Sequence, residues 1–287
     1  MNSRKSLPAV LCLTAMLAAA APADKKLAIV RTALAQSEDG ALVGSGSAFV
    51  PGETVFFSCQ VEGYAKSPAD KDDNRDIRLT YRVEARDARG ILLQAAATGK
   101  IEAAVGSEDK DWKPKIRETI VIPPLTDSGQ YQVLVTVQDA LGPTTAEART
   151  TLTVHGRDVA PSDTLVVRNF RFQRSEDDAK PLQVAAFRPG DSLWARFDMT
   201  GYKLGDANQL DIEYGLVVLR VDGSVAYSEP HAADQKEQPF YPQRYQPGVL
   251  SLNLAKDQPL GQYTIVLTVR DNLGKQTAET REKFSVE

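Results

Sequence analysis

The stretch Gly129-Gln130-Tyr131-Gln132-Val133-Leu134-Val135-Thr136-Val137-Gln138-Asp139-Ala140-Leu141-Gly142 decides the fold. Tyr131, Val133, Val135 and Val137 alternate with Gln132, Leu134, Thr136 and Gln138. A period of two in β-branched and aromatic residues is the mark of a half-buried strand. Asp139-Ala140-Leu141-Gly142 then reads as a hairpin turn in which Gly142 is able to take positive φ, and the returning strand ends on Leu152 and Val154. The same pattern occurs 132 residues later, as Gly261-Gln262-Tyr263 through Ile265, Leu267 and Val269 to Asp271-Asn272-Leu273-Gly274. There the returning strand ends on Phe284 and Val286, and Gly274 is the turn glycine.

Working outward, the correspondence extends over both halves of the chain. Residues 27 to 64 align with 165 to 202 without a gap, at an offset of 138. Phe49-Val50-Pro51-Gly52-Glu53 meets Phe187-Arg188-Pro189-Gly190-Asp191, and Gly63-Tyr64 meets Gly201-Tyr202. The offset falls to 133 where Tyr81 meets Tyr214 and Gly90 meets Gly223, and to 132 at the end. So many ordered identities imply two homologous domains. Loop-length differences account for the steps in offset, the larger just before Ile77. Pro-Gly turns launch a strand in each copy. In the first, Val55, Phe57, Cys59 and Val61 share one face, and in the second Leu193, Ala195, Phe197 and Met199 do. Cys59 therefore falls in the core slot of Phe197. Tyr81-Val83-Ala85 and Tyr214-Leu216-Val218 give another inward row, and Ile116 to Ile122 and Val249 to Leu254 a further strand each. About seven strands in about 120 residues fit an antiparallel sandwich, so the fold class is all-β with two tandem sandwiches. The expected divisions are a signal peptide at 1–23, one sandwich at 24–155, a linker at 156–163 and a second sandwich at 164–287.

Each copy resembles an immunoglobulin-like or fibronectin-type-III-like sandwich of secreted and surface bacterial proteins. The residues that carry the likeness are the Pro-Gly-acid strand start and the final hairpins, 129–154 and 261–286. The tyrosine after Gly-Gln resembles the tyrosine corner of such domains. The Cys…Trp…Cys core of antibody domains is absent. A further resemblance, in the Pro-Gly-acid start, a later Asp-Gly turn and a Gly-x-Tyr strand, is to sugar-binding sandwiches at the ends of bacterial polysaccharide exporters. What these likenesses imply is adhesion, ligand binding or spacing, and no particular site.

At the N-terminus, Arg4 and Lys5 precede the apolar stretch Leu7 to Ala20, and Ala21-Pro22-Ala23 fits a signal-peptidase site. The expected destination is the periplasm or the exterior, with membrane contact only through an uncleaved signal peptide. Beyond residue 23 the chain carries 32 basic and 38 acidic residues, without a basic stripe, which argues against nucleic acid as a partner. Only Cys59 remains there, so no internal disulfide can form and core burial must supply stability.

Three groups are candidate sites. Phe240, Tyr241, Arg244 and Tyr245 stand in a loop of the second copy, where rings and a guanidinium suit a polysaccharide or a protein partner. Phe56 and its equivalent Trp194 lie opposite the core row of their strands and form a candidate partner patch. Asp70, Asp72, Asn74 and Asp76 offer alternate oxygens to a hard cation such as Ca²⁺. Arg75 stands where a sharp-turn glycine is wanted and Tyr81 where a bidentate glutamate is wanted, and Lys71 lowers the local charge. Otherwise no cofactor is expected. Catalytic residues are not expected either. The only histidines, His155 and His231, one near the domain joint and one in a loop, have no Gly-x-Ser-x-Gly turn beside them, and Gly44-Ser45-Gly46-Ser47 lacks the lysine of a phosphate loop. The expected function is non-catalytic: an extracytoplasmic binding or spacer protein acting through loops or strand edges on an envelope or extracellular protein. The alternatives are a polysaccharide binder using the 240–245 loop, and a Ca²⁺-stiffened adhesin segment.

Overall fold

The computed structural model describes residues 26–287 except 45, 110 and 179. The expected signal peptide lies outside the described residues. Seven strands build the first sandwich: β1 Ala28–Ala35, β2 Thr54–Glu62, β3 Arg75–Arg86, β4 Ala97–Val105, β5 Lys115–Val121, β6 Gly129–Asp139 and β7 Thr145–Val154. Eight build the second: β8 Val166–Gln173, β9 Ala186–Phe187, β10 Ser192–Thr200, β11 Leu210–Arg220, β12 Val225–Glu237, β13 Tyr245–Asn253, β14 Gly261–Asp271 and β15 Gln276–Val286. In the first sandwich a β1-β2-β5 sheet faces a β4-β3-β6-β7 sheet. In the second, β13-β10-β8 faces β12-β11-β14-β15-β9. The β1-β2-β5 and β3-β6-β7 orders are the A-B-E and C-F-G orders of an immunoglobulin-like sandwich, with β4 joined to the C strand instead of the E strand.

Alternation places each core. In β2 the buried residues are Val55, Phe57, Cys59 and Val61, and in β6 they are Tyr131, Val133, Val135 and Val137. These rows face each other across the first core, as Leu193, Ala195, Phe197 and Met199 face Tyr263, Ile265, Leu267 and Val269 in the second. Cys59 does sit in the slot equivalent to Phe197, and the two slots are filled in opposite ways. Cys59 lies opposite Ile116 on β5, whereas Phe197 lies opposite Gly248 on β13. A large side chain on one strand is matched by a small one on its neighbour, so total volume is conserved. Burial pushes the Cys59 thiol up to about 11, partly offset by a hydrogen bond to the Ile116 backbone. The folded chain should therefore leave Cys59 unlabelled by a thiol reagent at pH 8, with labelling appearing only at denaturant concentrations that open the first sandwich. Rapid labelling without denaturant would contradict the packing.

Turn chemistry repeats as well. In each Pro-Gly-acid start the glycine takes φ 88°, and the acid accepts from the backbone three residues back: Val50 N to Glu53 Oε2 and Arg188 N to Asp191 Oδ2, both 2.8 Å. Tyr131 donates to the Asp127 carbonyl (2.9 Å) and Tyr263 to the Pro259 carbonyl (2.7 Å), each four residues upstream, which is the tyrosine-corner geometry. Gly142 and Gly274 do not use the positive φ open to them. The physical need at Gly274 is close approach: its Cβ position is occupied by the Asp271 carboxylate. That carboxylate is buried and accepts from Leu273 N (3.1 Å), Gly274 N (2.9 Å) and Lys203 N (2.8 Å). Asp139 does the same for Leu141 N (2.9 Å) and Ala65 N (2.6 Å), tying the final hairpin to the loop after β2. Two further expectations change. His231 is in β12 and not in a loop, and β13 begins at Tyr245, four residues before the expected strand start.

Candidate functional site

The loop between β12 and β13 carries Phe240, Tyr241 and Arg244. It is held by Asn208 Nδ2 donating to the Phe240 carbonyl (2.7 Å), Tyr202 to the Gln243 carbonyl (2.7 Å) and Thr200 Oγ1 to the Arg244 carbonyl (3.0 Å). So anchored, it points at the first sandwich. Tyr241 is buried among residues of the first core, 154 positions away in sequence from the Asp87 carboxylate to which its hydroxyl donates at 3.2 Å. Arg244 lies 3.7 Å from the same carboxylate and 3.6 Å from that of Asp127. Asp87 is itself fixed by the backbone N–H groups of Arg89 (2.9 Å) and Ile91 (2.8 Å) in the β3–β4 turn. Burial raises the Tyr241 hydroxyl above the ordinary phenol range, and the neighbouring Tyr131 and Asp87 raise it further, so it stays a donor. Burial also lifts the Asp127 carboxyl, against the pull of Arg89 and with Asp158 adding to the rise.

Tyr245, the first residue of β13, is the second ring of this group that the structure buries. The Arg157 guanidinium of the linker lies 5.6 Å from its centroid and donates to Asp198 Oδ2 at 2.6 Å. Asp198 is on the outer face of β10 yet 0% exposed, because the linker crosses there. Asn169 Nδ2 supplies a second bond to the same oxygen at 2.9 Å, while Oδ1 has no partner among the described residues. Gln60 occupies the equivalent position in the first sandwich, where no such segment crosses among the described residues. The residue before Arg157 is fixed to the first sandwich: the Gly156 carbonyl accepts from Ser128 Oγ (3.0 Å), and a Cβ on Gly156 would collide with the Thr126 carbonyl.

The expected exposed aromatic platform is thus corrected. Phe240 stands in solvent at 57% exposure and the Arg244 side chain is 41% exposed, while Tyr241 and Tyr245 are buried, and Tyr241, Arg244 and Tyr245 close the joint between the two sandwiches. Loop composition alone gave no sign of this, because the partner surface is supplied by residues 87–89, 127 and 131. Sequence reasoning also passed over Arg157 and Asp198, although the exchange of Asp198 for Gln60 between the copies is a readable signal. Phe56 and Trp194 are both half-buried on the outer faces of β2 and β10 and lie in different sandwiches, so they make no single patch. Phe56 lines a groove of about 420 Å³ with Ala33, Leu42 and Arg117. In the acidic loop the Asp70 carboxylate is turned inward, accepting from the backbone of Asp72 (2.9 Å) and Asn74 (2.8 Å). Asp76 lies 3.6 Å from Arg78. Among the described residues no three carboxylate, histidine or cysteine side chains converge as a metal would require.

The opposite pole of the first sandwich is open. A cleft of about 710 Å³ there is lined by Tyr64, Lys66, Trp112 and Lys113, with Trp112 40% exposed. Tyr64 donates to the Trp112 carbonyl (2.7 Å), and Lys113 pairs with Glu62. This is the pole that, in the second sandwich, is built by Tyr202 and Gln243 and closed by the joint.

No family model and no curated protein matches the chain. Among solved structures, the chain is similar to the C-terminal domain of the Streptococcus pyogenes antigen I/II-family protein AspA, at 9% identity and TM-score 0.28, over 92% of this chain and 99% of that one. It is also similar to red sea bream transglutaminase (12%, TM-score 0.25, 90% of this chain and 31% of that one). A third is a family 123 glycoside hydrolase from Clostridium perfringens (11%, TM-score 0.30, 43% and 27%). The chain spans about a third or less of the latter two.

Proposed function

We propose that this chain is a non-catalytic spacer and binding protein of the extracytoplasmic space, in which two sandwiches are held end to end as one fixed unit. The observation that carries this reading is the joint. Tyr241 of the second sandwich completes the core of the first, Arg244 bridges two of its carboxylates, and the first two linker residues are fastened one to each sandwich, Gly156 to Ser128 and Arg157 to Asp198. A flexible tether needs none of these contacts, whereas a module that presents two poles at a set separation needs all of them. The histidines fit a non-catalytic role: His155 N bonds the Phe49 carbonyl (2.8 Å), and His231 lies on an exposed strand 3.6 Å from Glu213. Burial of Tyr241 and Tyr245 leaves Phe240 as the exposed ring of this loop, which favours the spacer reading over glycan binding.

Small-angle X-ray scattering on dilute residues 24–287 tests the proposal. The native chain should give one narrow distance distribution, unchanged between low and high salt. Tyr241→Ala with Arg244→Ala should broaden it and lengthen its maximum while circular dichroism stays that of two folded sandwiches. A native chain already as broad as the double variant would overturn the reading.

A further inference from the structure

We infer that copies of this chain dock end to end, the Trp112 pole of one copy seating in a notch of another copy's second sandwich rimmed by Val221 and Leu260. The inference rests on the geometry of the internal joint and extends it from within one chain to between chains. In the joint, the receiving notch is formed by the β3–β4 turn and the β5–β6 loop, with Asp87, Ala88, Asp127 and Ser128 around Tyr241 and Arg244. At the sequence offsets of 133 and 132, those four positions in the second sandwich are Arg220, Val221, Pro259 and Leu260. These positions of the second sandwich face solvent, and two of them are large and apolar: Val221 is 80% exposed and Leu260 70%. Among the described residues, none covers Val221 or Leu260.

The inserting side has a counterpart too. The strand registers, Cys59 opposite Ile116 and Phe197 opposite Gly248, set the offset between β5 and β13 at 132, which places Trp112 at the position of Arg244. The contacts of the joint can then be rewritten for two copies. Arg244 against Asp87 and Asp127 becomes Trp112 against Arg220 and Pro259. An ion-pair joint becomes an indole over a guanidinium and a proline ring, and the flanking Ala88 and Ser128 become Val221 and Leu260. Asp127, Ser128 and Arg244 give way to Pro259, Leu260 and Trp112, which are apolar or aromatic, while Asp87 gives way to Arg220 and Tyr241 to Asp109, so that apolar contact and one pair of opposite charges would replace the ion pairs of the joint. Two exposed apolar poles at opposite ends of one molecule are otherwise a cost in solubility.

Such a contact is heterologous: each copy keeps one free notch and one free Trp112, so association continues as an open chain of copies instead of closing into a dimer. It lacks the tether and the Asp198 grip, because position 60 holds Gln, so it should be weaker than the joint. A dissociation constant on the order of 10–100 μM is expected, in the range of small transient interfaces.

Sedimentation velocity of residues 24–287 from low micromolar to several hundred micromolar tests this. The native weight-average sedimentation coefficient should climb with concentration. Trp112→Ala and Leu260→Glu should each remain monomeric, with melting temperatures unchanged because both residues are exposed. An equimolar mixture of the two variants should form dimers and nothing larger, since each supplies the half that the other lacks. A native chain that stays monomeric throughout would overturn the inference, as would variants that associate like the native chain, or a mixture that stays monomeric. Scattering from the dilute monomer still reports the internal joint, so failure here is separable from failure of the fixed-unit reading.

Discussion

Replacing Arg157 by Met should destabilise the second sandwich by about 3 kcal/mol, the lower end of the 3–5 kcal/mol expected when a buried ion pair loses one partner. The Asp198 carboxylate is wholly buried, and one of its oxygens already lacks a partner. With Arg157 gone, a single amide bond from Asn169 would remain to hold a full negative charge out of water. Arg157 is itself partly exposed (45%), so water can reach the vacated place and soften the loss. The cost lies in the stranded charge and not in the lost contact, and a second substitution separates the two. Asp198→Asn added to Arg157→Met should recover most of the stability, because a neutral amide tolerates burial better. The measurement is the midpoint of the second-sandwich transition in urea, read beside the first. A loss below about 1 kcal/mol, or a double variant no better than the single, would show that Asp198 is solvated in practice.

Gly248→Ala is the other large effect, expected near 2 kcal/mol from overpacking. Its added methyl would fall within the Phe197 ring, and that ring has nowhere to retreat. It stacks on Phe170 at 6.0 Å with planes 8° apart and meets Tyr214 edge-on at 5.2 Å and 84°. The first sandwich shows how the same slot accepts a large residue on this strand: Ile116 is tolerated because Cys59 faces it. Phe197→Cys alone should leave a cavity worth about 3 kcal/mol or more. The double variant Phe197→Cys with Gly248→Ile copies the first sandwich's arrangement and should lose less than Phe197→Cys alone, a coupling of at least about 1 kcal/mol. Urea titrations of the single and double variants give that coupling directly. Simple additivity would show that the two slots are not packing equivalents.

Much of the fold was legible because strand burial is a local, periodic property. Every second residue of β2, β6, β10 and β14 faces a core, and the sequence shows those rows before any coordinates. The Pro-Gly-acid starts and the tyrosine after Gly-Gln are legible for a related reason, since each is completed within four residues by hydrogen bonds to its own backbone. The candidate sites were far less legible. A run of rings and an arginine in a loop has the same composition whether it meets a ligand, solvent or another part of the chain.

From the order of residues follows an all-β chain whose halves repeat one pattern of strands, turns and core rows, down to Cys59 standing where Phe197 stands. Only the tertiary structure decided that Tyr241, Arg244 and Tyr245 belong to a joint, that Asp198 holds the linker, and that Trp112, Val221 and Leu260 are left at free ends. The physical reason is range. Alternation and turn hydrogen bonds act between residues a few positions apart. Burial of Tyr241 depends on Asp87 and Tyr131, more than a hundred positions away, and on the angle at which one sandwich meets the other.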